Sequence, residues 1–147
     1  MKLSSKTRYG IRALFDIAFH ADGGPTQIKD IAERQEIPPR FLEQIFQDLK
    51  RAGLVSSKRG PKGGYQLAVA PETIRIGDIV RTLEGPTVMT GSEETSSATR
   101  AVTDETLREL AVQVEAVLDG ITIEDLCVQG DNRGLRRDNL RRYVYSI

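Results

Sequence analysis

The segment 39–47 carries side chains of the types that read the edges of DNA bases. Arg40 can donate two hydrogen bonds to guanine or bind a phosphate, and Gln44 can pair with adenine through its amide oxygen and nitrogen. Glu43 can accept from a cytosine amino group, and Phe41 can pack on a thymine methyl group. The same pattern also suits the solvated face of an ordinary amphipathic helix, so this segment alone leaves both interpretations open. The residues expected on the exposed face are Pro39, Arg40, Phe41, Glu43, Gln44 and Gln47.

The glycine-rich basic segment that follows favours DNA. Between residues 49 and 71 there are five cations and no acid, namely Lys50, Arg51, Lys58, Arg59 and Lys62. Glycines at 60, 63 and 64 let the backbone approach a groove closely. A narrow minor groove concentrates negative potential and attracts an inserted arginine, for which Arg59 is best placed. The residues of this segment expected to contact DNA are Lys58, Arg59, Gly60 and Lys62.

Hydrophobic periodicity predicts the elements that must position these residues. The segment 39–52 has an apolar stripe with helical spacing, and Gly53 ends it. The stripe consists of Leu42, Ile45, Phe46 and Leu49. The order expected along the chain is helix 5–21, helix 27–34, helix 39–52, strand 54–58, basic turn 59–63, strand 64–69 and helix 76–83. Three helices followed by a basic hairpin form a winged helix-turn-helix, so we expect a mainly α fold with a DNA-binding domain over 1–84.

The second half of the chain has a different character. Residues 85–103 are rich in Ser, Thr and Gly and have almost no large apolar side chain, which predicts a flexible loop. Over 104–128 we expect a long helix from Asp104 to about Leu118 and then a short helix, 123–128. The apolar stripe of the long helix consists of Leu107, Leu110, Ala111, Val114, Val117 and Leu118. Residues 129–147 form a basic tail, carrying Arg133, Arg136, Arg137, Arg141, Arg142, Tyr143 and Tyr145.

Composition and charge limit the class of protein. The chain has 147 residues, of which 39% are hydrophobic, enough for one domain with an extension and a sizeable core. Residues 1–75 hold 13 Lys and Arg against 8 Asp and Glu, whereas residues 76–147 hold 8 against 13. A basic half joined to an acidic half indicates that one end meets a polyanion. No run of about 18 apolar residues and no signal peptide is present, so we expect a cytoplasmic protein with no membrane partner.

Residues for enzymatic or metal chemistry are sparse. The chain has one cysteine, Cys127, and one histidine, His20, far apart in sequence, and no phosphate-binding glycine motif. We therefore expect no enzyme, no catalytic residue and no metal ligand. Cys127 is interpreted as a partly buried small hydrophobe, with a redox-active thiol as the alternative. His20 is interpreted as a residue at the end of the first helix.

Three segments of the chain resemble a known protein family. They are LSSKTRYGIRAL, IKDIAERQEIPPRFLEQIFQDLKRAGLVSSKRGPKGGYQLA and IRIGDIVRTLEG. They resemble the Rrf2 family of bacterial transcriptional regulators over residues 1–85, and the similarity resumes at 117–126. The family includes iron–sulfur cluster regulators, a nitric-oxide sensor and a regulator of cysteine metabolism. The resemblance implies a homodimer that binds a pseudo-palindromic operator on double-stranded DNA.

The resemblance also implies roles for individual residues. It makes Gln44 the base reader, Glu43 a specificity residue and Arg59 the arginine of the wing, the hairpin that enters the minor groove. Phe41 stands where many members have tyrosine, so a hydrogen bond from a phenol is lost. The helix 104–118 is similar to the dimerisation helix of the family, which agrees with an apolar stripe too large for one small domain to cover. The residues implied to approach the DNA backbone near the N-terminus are Lys6, Arg8 and Tyr9.

The chain departs from the family in the loop before the long helix. Members that bind an iron–sulfur cluster have three cysteines there, whereas this loop has Ser92, Glu93, Glu94, Ser96, Ser97, Ala98 and Thr99. We therefore expect no iron–sulfur cluster and no other cofactor. The function expected is a dimeric sequence-specific regulator, a repressor, that answers to a small-molecule effector or a partner enzyme. The alternative is a winged-helix interaction module that docks on a partner enzyme without reading DNA.

Overall fold

The chain folds mainly into helices. The computed structural model describes residues 1–21, 23–135 and 137. The elements in this part of the chain are α1 (Ser5–His20), α2 (Ile28–Gln35), α3 (Pro39–Arg51), β1 (Val55–Lys58), β2 (Gly64–Leu67), α4 (Ile76–Leu83), α5 (Ala98–Asp119) and α6 (Ile123–Asn132). Three helices followed by a hairpin and a fourth helix confirm the expected order over the first half. No helix among the described residues is long and apolar enough to cross a membrane.

Helix α1 is the centre of the fold, and α2, α3, α4 and α6 pack around it. It begins where the Ser4 hydroxyl accepts a hydrogen bond from the Thr7 amide at 3.1 Å. The predicted stripe of α3 is fully buried against it, as is the centre of α4. Large side chains with almost no exposure are Leu14, Ile17, Phe19, Ile31, Leu42, Ile45, Phe46, Leu49, Ile74, Ile79 and Ile123. Burying each of these contributes about 1.5–3 kcal/mol, so packing on α1 fixes where α3 lies.

The β1–β2 hairpin, which we call the wing (residues 55–67), is fixed at its base. The strands are antiparallel, with Val55 opposite Leu67 and Lys58 opposite Gly64. Tyr65 exchanges two backbone hydrogen bonds of 2.8 Å with Thr26, and its ring stacks on Phe46 of α3 at 4.5 Å between centroids. A Cβ at Gly64 would lie 2.3 Å from the Thr26 carbonyl oxygen, and its φ is +146°, so only glycine fits there. The wing is therefore held against both α2 and α3.

A buried carboxylate ties α2 to α1. Asp16 is 0% exposed, and its two oxygens accept hydrogen bonds from Arg34 Nη2 at 2.7 Å and Nε at 3.0 Å. Gln35 Nε2 donates to the same carboxylate at 3.1 Å, and His20 Nε2 lies 4.0 Å from it. Because Arg34 and Gln35 end α2, this cluster sets where the turn into α3 begins. The sequence reasoning did not identify it.

The long helix begins earlier than predicted. Helix α5 starts at Ala98, six residues before Asp104, so the predicted loop 85–103 is shortened to a connection over 84–97. Ser97 is the N-cap and accepts a hydrogen bond from the Arg100 amide. The Thr103 and Thr106 hydroxyls bond back to carbonyls of the preceding turn, which lets these residues enter a helix. Composition alone therefore misplaced this boundary.

Helix α6 is longer than predicted and packs on α1. It runs to Asn132 rather than Val128, so the first residues of the predicted tail are helical. The Thr122 hydroxyl and the Asp125 carboxylate form a capping box at its start. Its inward side buries Cys127 in the same core as α1. The other tail residues singled out from the sequence, Arg136, Arg141, Arg142, Tyr143 and Tyr145, lie outside the described residues.

Candidate nucleic-acid interface

The face of α3 opposite its buried stripe is open to solvent. Pro39, Arg40, Phe41, Glu43, Gln44 and Gln47 are all exposed. The turn before α3 contains Glu36 in the left-handed region, with φ of 54°, and Pro39 occupies the first turn of the helix. No side chain caps this end and no acid lies in its first turn. Pro38 and Pro39 have no amide hydrogen and the Phe41 amide donates to the Pro38 carbonyl oxygen, so it is the positive end of the helix dipole that suits a phosphate oxygen here.

The first turns of α1 lie beside this face of α3. Ser5, Lys6 and Tyr9 of α1 and Phe41, Gln44 and Ile45 of α3 line an apolar cleft of about 400 Å³. The Tyr9 and Phe41 rings are 6.2 Å apart, and the Arg40 guanidinium lies over the Phe41 ring at 5.0 Å. Arg8 is exposed on α1 and donates to the Ser5 hydroxyl at 3.0 Å. The structure thus brings Lys6 and Tyr9 together with the α3 residues expected to read bases.

The tip of the wing is basic and exposed. Lys58, Arg59, Gly60 and Lys62 are all open to solvent. Gln27, at the start of α2, donates from Nε2 to the Pro61 carbonyl oxygen at 3.0 Å, which holds the tip toward α2. Lys50 Nζ donates to the Ser57 hydroxyl at 2.7 Å, which joins the end of α3 to β1. The wing and α3 are therefore connected by side chains as well as by the core.

One carboxylate on α3, missed in the sequence, organises the polar groups of this face. Asp48 accepts from Lys6 Nζ at 2.5 Å, from the Arg51 guanidinium, and from Gln44 Nε2 at 3.4 Å. The hydrogen bond from Lys6 holds the pKa of Asp48 below its ordinary value, so the group is ionised at neutral pH. Its spacing of four residues after Gln44 and three before Arg51 is the signal that could have identified it.

The apolar residues of α5 are not part of this face. None of its 22 residues is buried. Of the predicted stripe, Leu118 packs against the core, whereas Leu110 is 45% exposed and Val117 is 67% exposed. Leu107, Ala111 and Val114 are half-buried. Sequence reasoning missed Val112, which is 68% exposed.

An arginine cluster joins α5 to the rest of the protein. Arg81 of α4 binds Asp119 Oδ1 at 2.7 Å and the Glu115 carboxylate, both on α5. The other Glu115 oxygen accepts from the Thr87 amide at 3.0 Å, and hydrogen bonds from the Thr87 side chain and amide keep the pKa of Glu115 below its ordinary value. A Cβ at Gly77 would lie 1.9 Å from Asp119 Oδ1, so glycine permits the close approach of α5 to α4. Arg81 thus attaches α5 to α4, and Glu115 attaches α5 to connection 84–97.

Comparison with known proteins identifies close relatives. The family model Rrf2, iron-dependent transcriptional regulators, matches residues 3–129. The HTH-type transcriptional regulator IscR of Aliivibrio salmonicida is 40% identical over 134 residues, which are 89% of this chain and 80% of that protein. The structure of T. potens IscR is 37% identical with a TM-score of 0.73 and covers 96% of both chains. CymR, the global cysteine regulator of B. subtilis, is 38% identical with a TM-score of 0.73, covering 88% of this chain and 98% of CymR. These likenesses confirm the expected fold class.

The donor groups of this chain do not fit an iron–sulfur cluster, which requires several thiolates at short spacing. The connection 84–97 carries hydroxyls and the carboxylates of Glu93 and Glu94, and no cysteine. Cys127 is 1% exposed in the core, where burial raises the pKa of its thiol to about 11. Among the described residues no group of three or more His, Cys, Asp or Glu side chains could hold a metal ion.

Proposed function

Because this chain belongs to the Rrf2 family of DNA-binding transcriptional regulators, we propose that it represses transcription as a homodimer bound to a pseudo-palindromic operator. In each protomer α3 lies in a major groove and the wing lies in the adjacent minor groove. Two-fold symmetry of the protein then requires half-sites about one helical turn, roughly 34 Å, apart.

One observation carries the proposal. The side of α3 that is free of the core carries, beside the Asp48 carboxylate, groups suited to bases and phosphates, and it is flanked by the first turns of α1 and by the wing. Gln44 supplies the amide that matches adenine, and Arg59 supplies the exposed cation at the wing tip. A purely solvated helix face would not require basic residues on the two neighbouring elements as well.

The homodimer is supported by α5. A helix of 22 residues with no buried side chain and several exposed valines and leucines lacks the packing that stabilises helices in water. A second copy of α5 offers the same apolar surface, and a two-fold interface is self-complementary by definition. Pairing of two α5 helices therefore covers the side that faces away from α4.

We predict that Gln44→Ala and Arg59→Ala separate base reading from backbone binding. Gln44→Ala should weaken operator binding by about 5- to 150-fold, the value of one bidentate base contact, and leave random duplex binding unchanged. Arg59→Ala should weaken both and lower the slope of log affinity against log salt by about one. Fluorescence anisotropy with an operator selected from random sequences, at several salt concentrations, measures both effects.

Matched controls for this experiment lie on α6. Gln129 and Arg133 are exposed, and Gln129→Ala and Arg133→Ala remove the same groups far from α3 and the wing. Both controls should bind the operator like the parent. If Gln44→Ala and Arg59→Ala also bind like the parent, the proposed mode of DNA binding is wrong.

We further predict that the protein regulates without an iron–sulfur cluster. Protein purified under anaerobic conditions should have no absorption band above about 320 nm, because its one cysteine is buried away from connection 84–97. The visible spectrum and iron content of the as-isolated protein measure this directly. A charge-transfer band that disappears in Cys127→Ser would show instead that the Cys127 thiolate binds iron.

A further inference from the structure

The carboxylate of Asp48 stands within the surface proposed to bind DNA, where it must lie close to phosphates. It is half-buried and engages three groups at once: the ammonium of Lys6, the guanidinium of Arg51 and the amide of Gln44. Two of these are cations, Lys6 on α1 beside the reading face and Arg51 at the end of α3. The third is the side chain proposed to read adenine.

We propose that Asp48 is a specificity-determining residue that weakens binding to random DNA more than binding to the operator. It does so by offsetting one of the two positive charges of Lys6 and Arg51 and by positioning the Gln44 amide. This inference rests on the proposed function, since it concerns the same surface.

The electrostatic part follows from what holds random DNA. Non-specific binding depends almost wholly on phosphates neutralised by Lys and Arg, whereas operator binding also includes contacts with base edges. A cation paired with Asp48 has to exchange that partner for a phosphate, and the carboxylate itself repels the phosphates around it. Asp48 therefore lowers the phosphate-dependent part of the affinity, which is the same for every DNA sequence.

The positioning part concerns Gln44. Its Nε2 donates one hydrogen to Asp48 Oδ1 at 3.4 Å, a long bond that restrains the amide. The second N–H and the Oε1 atom remain for the N7 and N6 groups of adenine, which need both a donor and an acceptor. Since Asp48 also binds Lys6 and Arg51, its own position is fixed from both sides. A restrained amide loses less conformational freedom when it meets its base.

The experiment compares Asp48→Asn with the parent on random duplex and on operator over a range of salt. Asn removes the charge but keeps an oxygen acceptor for Gln44. The net gain of one positive charge should steepen the salt slope by about 0.9 and raise random-duplex affinity roughly eightfold at 0.1 M salt. Operator affinity should rise less, because the uncharged Asn side chain no longer forms ion pairs with Lys6 and Arg51 and therefore restrains the Gln44 amide less, so the ratio of operator to random affinity should fall. Asp48→Ala, which also removes the acceptor, should lower the ratio further and broaden base preference at the Gln44 position.

The control Glu105→Gln changes the net charge equally on exposed α5 and should leave the salt slope unchanged. Asp48→Ser, which also removes the charge, covers the case in which Asp48→Asn folds poorly, and it should raise random-duplex affinity to a similar extent. Lys6→Gln should reverse part of this gain in whichever Asp48 variant folds.

Two outcomes overturn the inference. One is a folded Asp48→Asn whose random-duplex affinity and salt slope match the parent. The other is a gain in random-duplex affinity that neither Lys6→Gln nor Arg51→Gln reduces. Failure of the proposed function would look different: Gln44→Ala would then fail to distinguish operator from random duplex, whereas the effect of Asp48→Asn on random DNA would still be measurable.

Discussion

Arg34→Ala is expected to lower the free energy of unfolding by about 3–5 kcal/mol, because it leaves the buried Asp16 carboxylate without its main partner. Gln35 and His20 remain near Asp16, but only Gln35 donates a hydrogen bond to it at ordinary length. For a domain of this size the loss corresponds to a fall in Tm of about 10–20 °C. Thermal and urea unfolding followed by circular dichroism measure both quantities.

Two further variants test whether this loss of stability comes from the Asp16 cluster. Arg34→Lys keeps the charge but cannot bind both carboxylate oxygens in a planar fork, so its loss should be intermediate. Arg100→Ala on α5 breaks exposed ion pairs with Glu93 of connection 84–97 and with Asp104, and it should cost less than about 1 kcal/mol. If Arg34→Ala costs no more than Arg100→Ala, the Asp16 cluster does not stabilise the fold in the way described.

Helix α3 was predicted from the sequence, but the Asp16 cluster that helps to position it was not. The apolar stripe of α3 predicts a helix with one buried side. Each residue of that stripe is buried in the structure: Leu42, Ile45, Phe46 and Leu49. Nothing local indicates that Asp16 meets Arg34, since the two residues are 18 positions apart on different helices. Periodicity identifies which side of an element is buried, whereas partners between elements depend on how the elements pack.

The second half of the chain was harder to predict for a related reason. Residues 98–103 have a loop-like composition, yet they continue α5 because Ser97 caps the helix and threonine hydroxyls bond within it. Cys127 was expected to be partly buried and is fully buried, because α6 folds back on α1. A short helix with one apolar side does not reveal which neighbour it covers. Contacts between distant segments decide that, and single-sequence patterns do not contain them.

In the candidate site, too, local features were predicted from the sequence, whereas contacts between helices were not. Exposure of Gln44 and Arg59 followed from helix periodicity and from the glycine-rich turn, which are local properties. The pairing of Lys6 with Asp48 is not local, because it depends on the crossing of α1 over α3. Sequence patterns therefore identified which groups face outward, but not which of those groups bind one another.

The position of α5 on α4 bears on how two protomers would pair in the proposed dimer. Arg81 binds Glu115 and Asp119, so one side of α5 is held by α4. The hydrogen bond with Asp119 raises the pKa of the Arg81 guanidinium above its ordinary value, so Arg81 keeps its charge throughout the physiological range. In the proposed dimer, the contact between the two α5 helices would set the distance between the two α3 helices. It would do so because the Arg81 cluster fixes α5 to α4, and α4 packs on α1.

Replacing Leu110 and Val117 together by aspartate is expected to abolish the proposed dimer. These residues are seven positions apart, about two turns, so they lie on one side of α5 and away from the Arg81 cluster. A two-fold interface would place four carboxylates in an apolar contact, which is strongly unfavourable. Light scattering should report a monomer. Operator affinity should fall by about 10²- to 10⁴-fold, because the second half-site is no longer bound by a linked protomer, while half-site affinity should hardly change.

Val112→Asp is the matched control for that result. Val112 is as exposed as Val117 but lies about 160° around the helix from Leu110, so its replacement adds a charge outside the proposed contact. It should leave both the dimer and the operator affinity intact. If Val112→Asp dissociates the dimer and the double variant does not, the contact lies on the other side of α5. If neither variant changes the mass or the operator affinity, α5 does not hold the two reading helices together.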